Sequence, residues 1–311
     1  MPPLVAILGP TASGKSALGV ALSERWRGEV VSCDSTAVYR GFDIGTDKVA
    51  DADRRTVPHH LTDLVDPDEA YSAARYAADA AAVIRDITAR GRLPVLVGGT
   101  GLYYRALTRG LFPGPARDTA VRARLSAIAR RRGSERLHRL LARVDPPSAA
   151  RIQPRDEKRL VRALEVYVLT GRPLTAHFDD TRSPIADYVI IAFALVLPPA
   201  ETALRVARRV DQQFARGIVD EVRGLLARGV PEAAHPFTGL VYRQVIEMLH
   251  GVRDEAATRE LIVRENRRYA RRQLIWFRKE PNLRWIHGAG EHPDTLQVIE
   301  RTLAERGLCR P

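Results

Sequence analysis

Residues Gly9-Pro10-Thr11-Ala12-Ser13-Gly14-Lys15-Ser16 carry the pattern G-x-x-x-x-G-K-[ST] at every fixed position. Glycines at this spacing let backbone N–H groups turn inward around an anion, and a helix N-terminus adds partial positive charge. Lys15 would neutralise the terminal phosphate, and the Ser16 hydroxyl would hold Mg²⁺. The loop therefore specifies a pyrophosphate or longer phosphate chain, without saying which compound carries it. Asp34 ends an apolar run from Glu29 and should reach the same edge. A carboxylate there can take a proton from a nucleophile that faces the bound phosphate compound. The alternatives are a helix N-cap or a place in the outer shell of a magnesium ion, and the base role is the favoured one. Val97-Gly98-Gly99-Thr100-Gly101-Leu102-Tyr103 ends another apolar run, with glycines and a threonine where many phosphate-loop proteins place a metal-binding Asp. Thr100 can donate to a phosphate oxygen, and the glycines also suit a tight strand-to-helix turn. His59-His60-Leu61-Thr62-Asp63 has no third metal ligand nearby and reads as a structural loop.

These groups need elements to hold them. Leu4–Leu8 reads as a buried strand before the loop, and Ala17–Leu22 as the start of the helix after it. Glu29–Asp34 is a second strand. Ser72 is placed to cap a helix over Ala73–Ala89, ended by Gly91, and Leu93–Val97 is a third strand. Alternating strands and helices predict an α/β fold: a P-loop NTPase-like parallel sheet flanked by helices, with ligands at the carboxyl ends of the strands. Pro113-Gly114-Pro115 breaks this alternation. Asp118–Thr170 then reads as helical and basic, punctuated by Gly133 and Pro146-Pro147, and Gly171-Arg172-Pro173 closes it. Tyr188–Leu197 is strongly β-prone and returns to the sheet, and one long helix is expected over Glu201–Ala227. The division expected is a core of residues 1–111 and 184–311, with a basic helical insertion domain at 112–183.

The chain of 311 residues is 45% hydrophobic and carries a net charge of +12. Residues 111–183 hold 16 Arg and Lys against 8 Asp and Glu, and residues 264–279 hold 7 against 1. Together these two segments exceed the whole excess of charge, which is the footprint expected for a nucleic-acid partner. The two cysteines, Cys33 and Cys309, form no metal spacing or disulfide framework and fit a reducing cytosol. No apolar run approaches the ~20 residues of a membrane span, and Met1–Leu8 leads directly into the loop rather than reading as a signal peptide. Arg264–Arg278 has helical periodicity, with Tyr269, Gln273, Trp276 and Phe277 along one side and Arg267 and Arg271 sharing another.

Taken in order, the motifs resemble one family closely: tRNA dimethylallyltransferase, also called tRNA isopentenylpyrophosphate transferase. They are Gly9–Ser16, Asp34-Ser35, Val38-Tyr39-Arg40-Gly41, Asp43-Ile44-Gly45-Thr46, Pro58-His59-His60-Leu61 with Asp63, and Val97–Tyr103. Arg159-Leu160 with Arg162-Ala163-Leu164-Glu165, Tyr242-Arg243-Gln244, and Arg271-Arg272-Gln273 with Trp276 follow. The resemblance covers almost the whole chain. It implies transfer of the dimethylallyl group of dimethylallyl diphosphate to N6 of the adenosine just 3′ of the anticodon, in tRNAs reading U-starting codons, with Mg²⁺ as cofactor. The loop then holds a leaving diphosphate. Lys15, Ser16 with Mg²⁺, Thr100 and Arg267 would stabilise its growing charge, and Asp34 would take the N6 proton. The base would be flipped out of its stack to be reached. The resemblance further implies tRNA contacts at Asp34, Ser35, Thr36, Ala37, Thr100, Arg122, Lys158, Arg159, Leu160, Val161, Arg162, Tyr242, Arg243, Arg271 and Arg272. A cytoplasmic, bacterial-type monomer acting on the anticodon stem-loop is expected, with no membrane partner. The chain departs from the family pattern where Thr36-Ala37 replace Met-Gln or similar, Val241 replaces Gly, and Asn266 and Ile275 replace Thr. These positions bear on base reading and tRNA selectivity. The competing readings are a prenyltransferase acting on free adenine nucleotides, a small-molecule kinase, and a non-catalytic RNA-binding protein. None of the three accounts for the basic insertion and the intact loop, Asp34 and Thr100 together.

Overall fold

Six strands form one sheet in the order β3-β2-β4-β1-β5-β6, with every neighbouring pair parallel. The computed structural model describes residues 1–54, 56–112 and 114–310; Pro113, read above as part of the break, lies outside them. Along the chain come β1 (Pro3–Leu8), α1 (Lys15–Arg25), β2 (Gly28–Cys33), α2 (Asp51–Arg54), β3 (His59–His60), α3 (Ala73–Ala89), β4 (Leu93–Gly98) and α4 (Gly101–Arg109). Leu4 to Leu8 are wholly buried because helices cover both faces of a parallel sheet, which is why this strand is a continuous apolar run without alternation. The carboxyl ends of β1, β2 and β4 lie side by side: Leu8 is in register with Gly98, and Cys33 with Gly98. This adjacency gathers the phosphate loop, Asp34 and the Gly98-Gly99-Thr100 turn at one edge. Ser72 caps α3 as expected, its hydroxyl accepting from Arg75 N–H at 3.1 Å.

By contact density the chain divides into two units, Thr108–Ala186 and the remainder, Met1–Leu107 with Asp187–Pro311. The smaller unit is helical: α5 (Thr119–Arg132), α6 (Ser134–Val144), α7 (Pro146–Arg151) and α8 (Glu157–Thr170). Leu125, Leu137, Leu141, Leu160, Val161 and Leu164 form its core. Glu165 is buried there and accepts from Arg122 Nε, Arg162 Nη1 and the Asp118 N–H, each at 2.8 Å. Against the cost of burial, these donors hold its carboxyl down to about 2.

The larger unit resumes with β5 (Val189–Val196), α9 (Pro199–Ala215), α10 (Ile218–Ala227), α11 (Tyr242–Leu249), α12 (Glu255–Phe277), β6 (Leu283–His287) and α13 (Pro293–Glu305). Two expectations change here. The single helix expected over Glu201–Ala227 is two, because Gly217 takes a left-handed conformation (φ 88°, ψ 38°) that ends α9 and starts α10. His59 and His60 are a short edge strand rather than a loop, paired with Val30 and Val31. Their side chains diverge, as an extended pair must: His60 Nε2 lies 2.7 Å from Glu29 Oε2 and His59 Nδ1 lies 2.9 Å from the Val57 carbonyl. No group of three or more metal-ligating side chains occurs among the described residues. No helix among them is long and apolar enough to cross a membrane.

Candidate active site

The phosphate loop leads directly into α1, and Gly14 (φ 82°, ψ 8°) is its N-cap. Glycine suits this place because the backbone is left-handed. The loop is held from three sides. Gln273, buried on α12, accepts from the Thr11 N–H and donates to the Gly99 carbonyl, both at 2.9 Å, and so ties the loop to the end of β4. Arg209 on α9 donates to the Thr11 hydroxyl at 2.7 Å and lies 3.3 Å from Asp47. Gly290 N–H donates to the Ser13 carbonyl at 2.9 Å. Replacing Gln273 by Met keeps the volume but leaves a buried N–H and a C=O unpaired, each worth about 1–3 kcal/mol. A clear fall in the urea unfolding midpoint is therefore expected, and an unchanged midpoint would show that the clamp contributes nothing.

Asp34 follows β2 and folds its chain back on itself. Its Oδ1 accepts from the Thr36 N–H at 2.8 Å, the Thr36 hydroxyl at 2.7 Å and the Ala37 N–H at 3.3 Å. Thr100 supports the same turn from β4: its hydroxyl accepts from the Ser35 N–H at 3.1 Å and donates to the Ser35 hydroxyl at 3.4 Å. Cys33, behind them, is buried, which pushes its thiol up to about 12 and keeps it inert.

Lys15, Ser16 and Asp34 line one cavity of about 580 Å³ within the larger unit. That is ample for a small diphosphate with a flat ring against it. Thr11, Thr36, Arg209, Arg243, Tyr269, Arg272 and Gln273 contribute to its wall. Burial, and then the neighbouring Arg209, push the Lys15 ammonium down to about 8, against an opposing pull from Asp34. Two cations that repel each other on one cavity wall suit an anionic ligand. Burial, reinforced by Asp34, pushes the Tyr269 phenol up to about 12, so it stays a neutral donor.

The residues expected from sequence fall into three groups. Thr11, Lys15 and Ser16 of the loop come together at the cavity with Asp34, Ser35, Thr36, Ala37, Arg243 and Arg272, whereas Gly9, Pro10, Ala12, Ser13 and Gly14 are not among the lining residues. Thr100 is not part of the lining and bonds Ser35 instead. Arg267 is exposed on α12 and is not among the lining residues either. Helical periodicity explains this: α12 presents Glu265, Asn266, Tyr269, Arg272 and Gln273 to the cavity, one stripe at 3.6-residue spacing, and Arg267 and Arg271 fall outside it. A third group is engaged elsewhere. Tyr242 is buried, its hydroxyl donating to Glu221 at 2.6 Å and accepting from the Gly45 N–H at 3.1 Å. Leu160 and Val161 lie in the helical core, and Arg122 and Arg162 are paired with Glu165, whereas Lys158 and Arg159 are exposed.

Arg209 was not singled out in the sequence, yet a signal existed. It shares a face of α9 with the buried Val206, Val210 and Gln213, and a charge among such positions needs a partner or a ligand. Val241, at the position the family pattern gives to glycine, has φ 75° and ψ −63° and lines the cavity. This conformation is costly for a β-branched side chain, of order 1–3 kcal/mol.

The family model described as IPP transferase matches residues 37–280. A tRNA dimethylallyltransferase from Solibacter usitatus is 47% identical over 308 residues, which is 97% of this chain and 98% of the relative. One from Geobacter sulfurreducens is 45% identical, over 95% of this chain and 94% of the relative. Among solved structures, a full-length tRNA isopentenylpyrophosphate transferase from Bacillus halodurans superposes with a TM-score of 0.73 at 37% identity, covering 98% of this chain and 97% of that one. On the match of its sequence, its sheet and its loop-centred cavity, the chain belongs to the IPP transferase family.

Proposed function

We propose that this protein is a tRNA dimethylallyltransferase, which moves the dimethylallyl group of dimethylallyl diphosphate to N6 of the adenosine 3′ of the anticodon. The observation that carries this reading is the pairing, in one cavity, of a cationic phosphate cradle (Lys15 and Arg209) with a carboxylate, Asp34, that has no hydrogen-bond partner on Oδ2 among the described residues. The end of β4 offers Gly98-Gly99-Thr100 and no acid, which argues against phosphoryl transfer. In the reaction the bond between the allylic carbon and the diphosphate oxygen breaks, a bond from N6 to that carbon forms, and the N6 proton leaves to Asp34. Lys15, Arg209 and Arg272 stabilise the charge that grows on the diphosphate. The Ser16 hydroxyl, beside Lys15 on the cavity wall, fits a Mg²⁺ ion, which would supply further neutralisation of that charge. Tyr269, on the α12 wall, lines the same cavity. Thr100 acts through Ser35, holding the turn that carries Asp34.

The RNA is held by charge. Lys158 and Arg159 on the helical unit, and Arg267 and Arg271 on the outer side of α12, present exposed cations suited to the phosphates of an anticodon stem-loop. The test is a prenylation assay with Mg²⁺, dimethylallyl diphosphate and an anticodon stem-loop bearing adenine 3′ of the anticodon, run beside free adenylate. Modification of the stem-loop alone is expected, with affinity that falls steeply as salt rises. Prenylation of adenylate would favour the free-nucleotide reading, and ATP hydrolysis would overturn the proposal.

A further inference from the structure

Thr36 stands on the cavity wall beside Asp34, at a position otherwise read as touching the RNA. Its hydroxyl does something else: it donates to Asp34 Oδ1 at 2.7 Å, shorter than the two backbone N–H bonds to the same oxygen. An O–H···O⁻ bond of this length is charge-assisted and among the stronger ones a side chain makes. A β-branched side chain also has few rotamers to choose from. With three donors on Oδ1, the carboxylate cannot turn about its own axis without losing them. Asp34 lines the cavity, and its Oδ2 has no protein partner among the described residues.

We propose that Thr36 is a positioning residue for the reaction, its hydroxyl locking Asp34 Oδ1 so that Oδ2 presents its lone pairs to the substrate amine. This rests on the reading of Asp34 as the group that takes the N6 proton. No proton passes through Thr36, which keeps its own throughout. A carboxylate that rotates loses much of the advantage of a fixed acceptor, because an ångström of misplacement costs rate without costing affinity.

The experiment is a steady-state comparison of Thr36→Val, Thr36→Ser and Thr36→Ala on the full chain, with KM measured separately for stem-loop and dimethylallyl diphosphate. Thr36→Val keeps the shape and removes the hydroxyl; kcat is expected to fall about 10- to 100-fold, the worth of one hydrogen bond to a charged group. Neither KM should change by more than about threefold, and Thr36→Ser should return kcat to near the wild-type value. A fall in Thr36→Val that Thr36→Ser does not rescue, or a rise confined to KM for the stem-loop, would overturn the proposal and leave Thr36 as an RNA contact. If Thr36→Val is poorly folded by circular dichroism, the Ala and Ser pair carries the same comparison. Adding Thr36→Val to Asp34→Asn separates the two readings. If Thr36 acts through Asp34, the double variant is no slower than Asp34→Asn alone. Wild-type turnover in Asp34→Asn would remove the base assignment itself, whereas a dead Asp34→Asn beside a silent Thr36→Val would remove only the role of Thr36.

Discussion

Asp34→Asn is expected to lower turnover about 10²- to 10⁴-fold, the usual contribution of a positioned general base, while stem-loop binding stays near the wild-type level. Asparagine is the cleaner substitution because its side-chain oxygen can still accept from the Thr36 N–H, the Thr36 hydroxyl and the Ala37 N–H, so the turn after β2 survives. What it removes is the negative charge and the basic second oxygen. Asp34→Ala would strip three donors of their acceptor as well, mixing a folding cost with the chemical one. The measurement is single-turnover prenylation with saturating substrates, beside filter binding of the stem-loop. Wild-type single-turnover rates in Asp34→Asn would show that the N6 proton goes to solvent without help, and the carboxylate would then be only the anchor of its turn.

The second large effect is expected at Lys15 and is read through pH. Burial and Arg209 lower its ammonium from 10.5 to about 8 in the ligand-free fold. Below pH 8 the lysine is charged and can pair with the diphosphate; above it the charge is lost before the substrate arrives. KM for dimethylallyl diphosphate should therefore be flat up to about pH 8 and then rise, approaching tenfold per pH unit. Stability of the ligand-free protein should move the other way. A lowered folded value means that holding the charge costs stability at pH below 8, and that cost is relieved between pH 8 and 10.5, where the fold gives up the proton and the unfolded chain still keeps it. Lys15→Arg keeps its charge at all these pH values and should abolish the rise in KM. Lys15→Ala should lower kcat/KM about 10²- to 10³-fold, the cost of removing one donor to a developing anion. A KM that stays flat to pH 10 in the wild-type protein would show that the diphosphate is held by Arg209 and Arg272 without Lys15.

Both effects depend on groups whose neighbours come from distant parts of the chain. Thr11 belongs to the loop, yet its N–H is taken by Gln273 and its hydroxyl by Arg209, more than 190 residues away in sequence. The strain at Val241 is of the same kind. A β-branched residue at φ 75° is disfavoured locally and persists because α11, anchored at its first residue by the buried Tyr242, holds the turn in place.

The sequence by itself determined whatever is local or periodic. The phosphate loop, the Ser72 cap, the apolar strands and the helical punctuation at Gly133, Pro146 and Gly171 were legible because each follows from nearest-neighbour sterics and short-range hydrogen bonds. Family membership was legible for a related reason: it rests on motif order, which a linear chain records in full. What only the tertiary structure decided is which side chains face each other across the cavity. Arg209 lines the cavity and Arg267 does not, because the rotation of α9 and α12 against the sheet, set by packing of Val206, Val210, Ala270 and Phe277, chooses the residues that face it. Gly217 split a continuous helical pattern, since a single left-handed residue redirects the axis without altering the periodicity on either side. The short strand at His59-His60 escaped notice because two residues carry no alternation, and only the free edge of β2 makes them a strand. Thr36 shows the same division at the site: its identity is in the sequence, but only the fold aims its hydroxyl at Asp34.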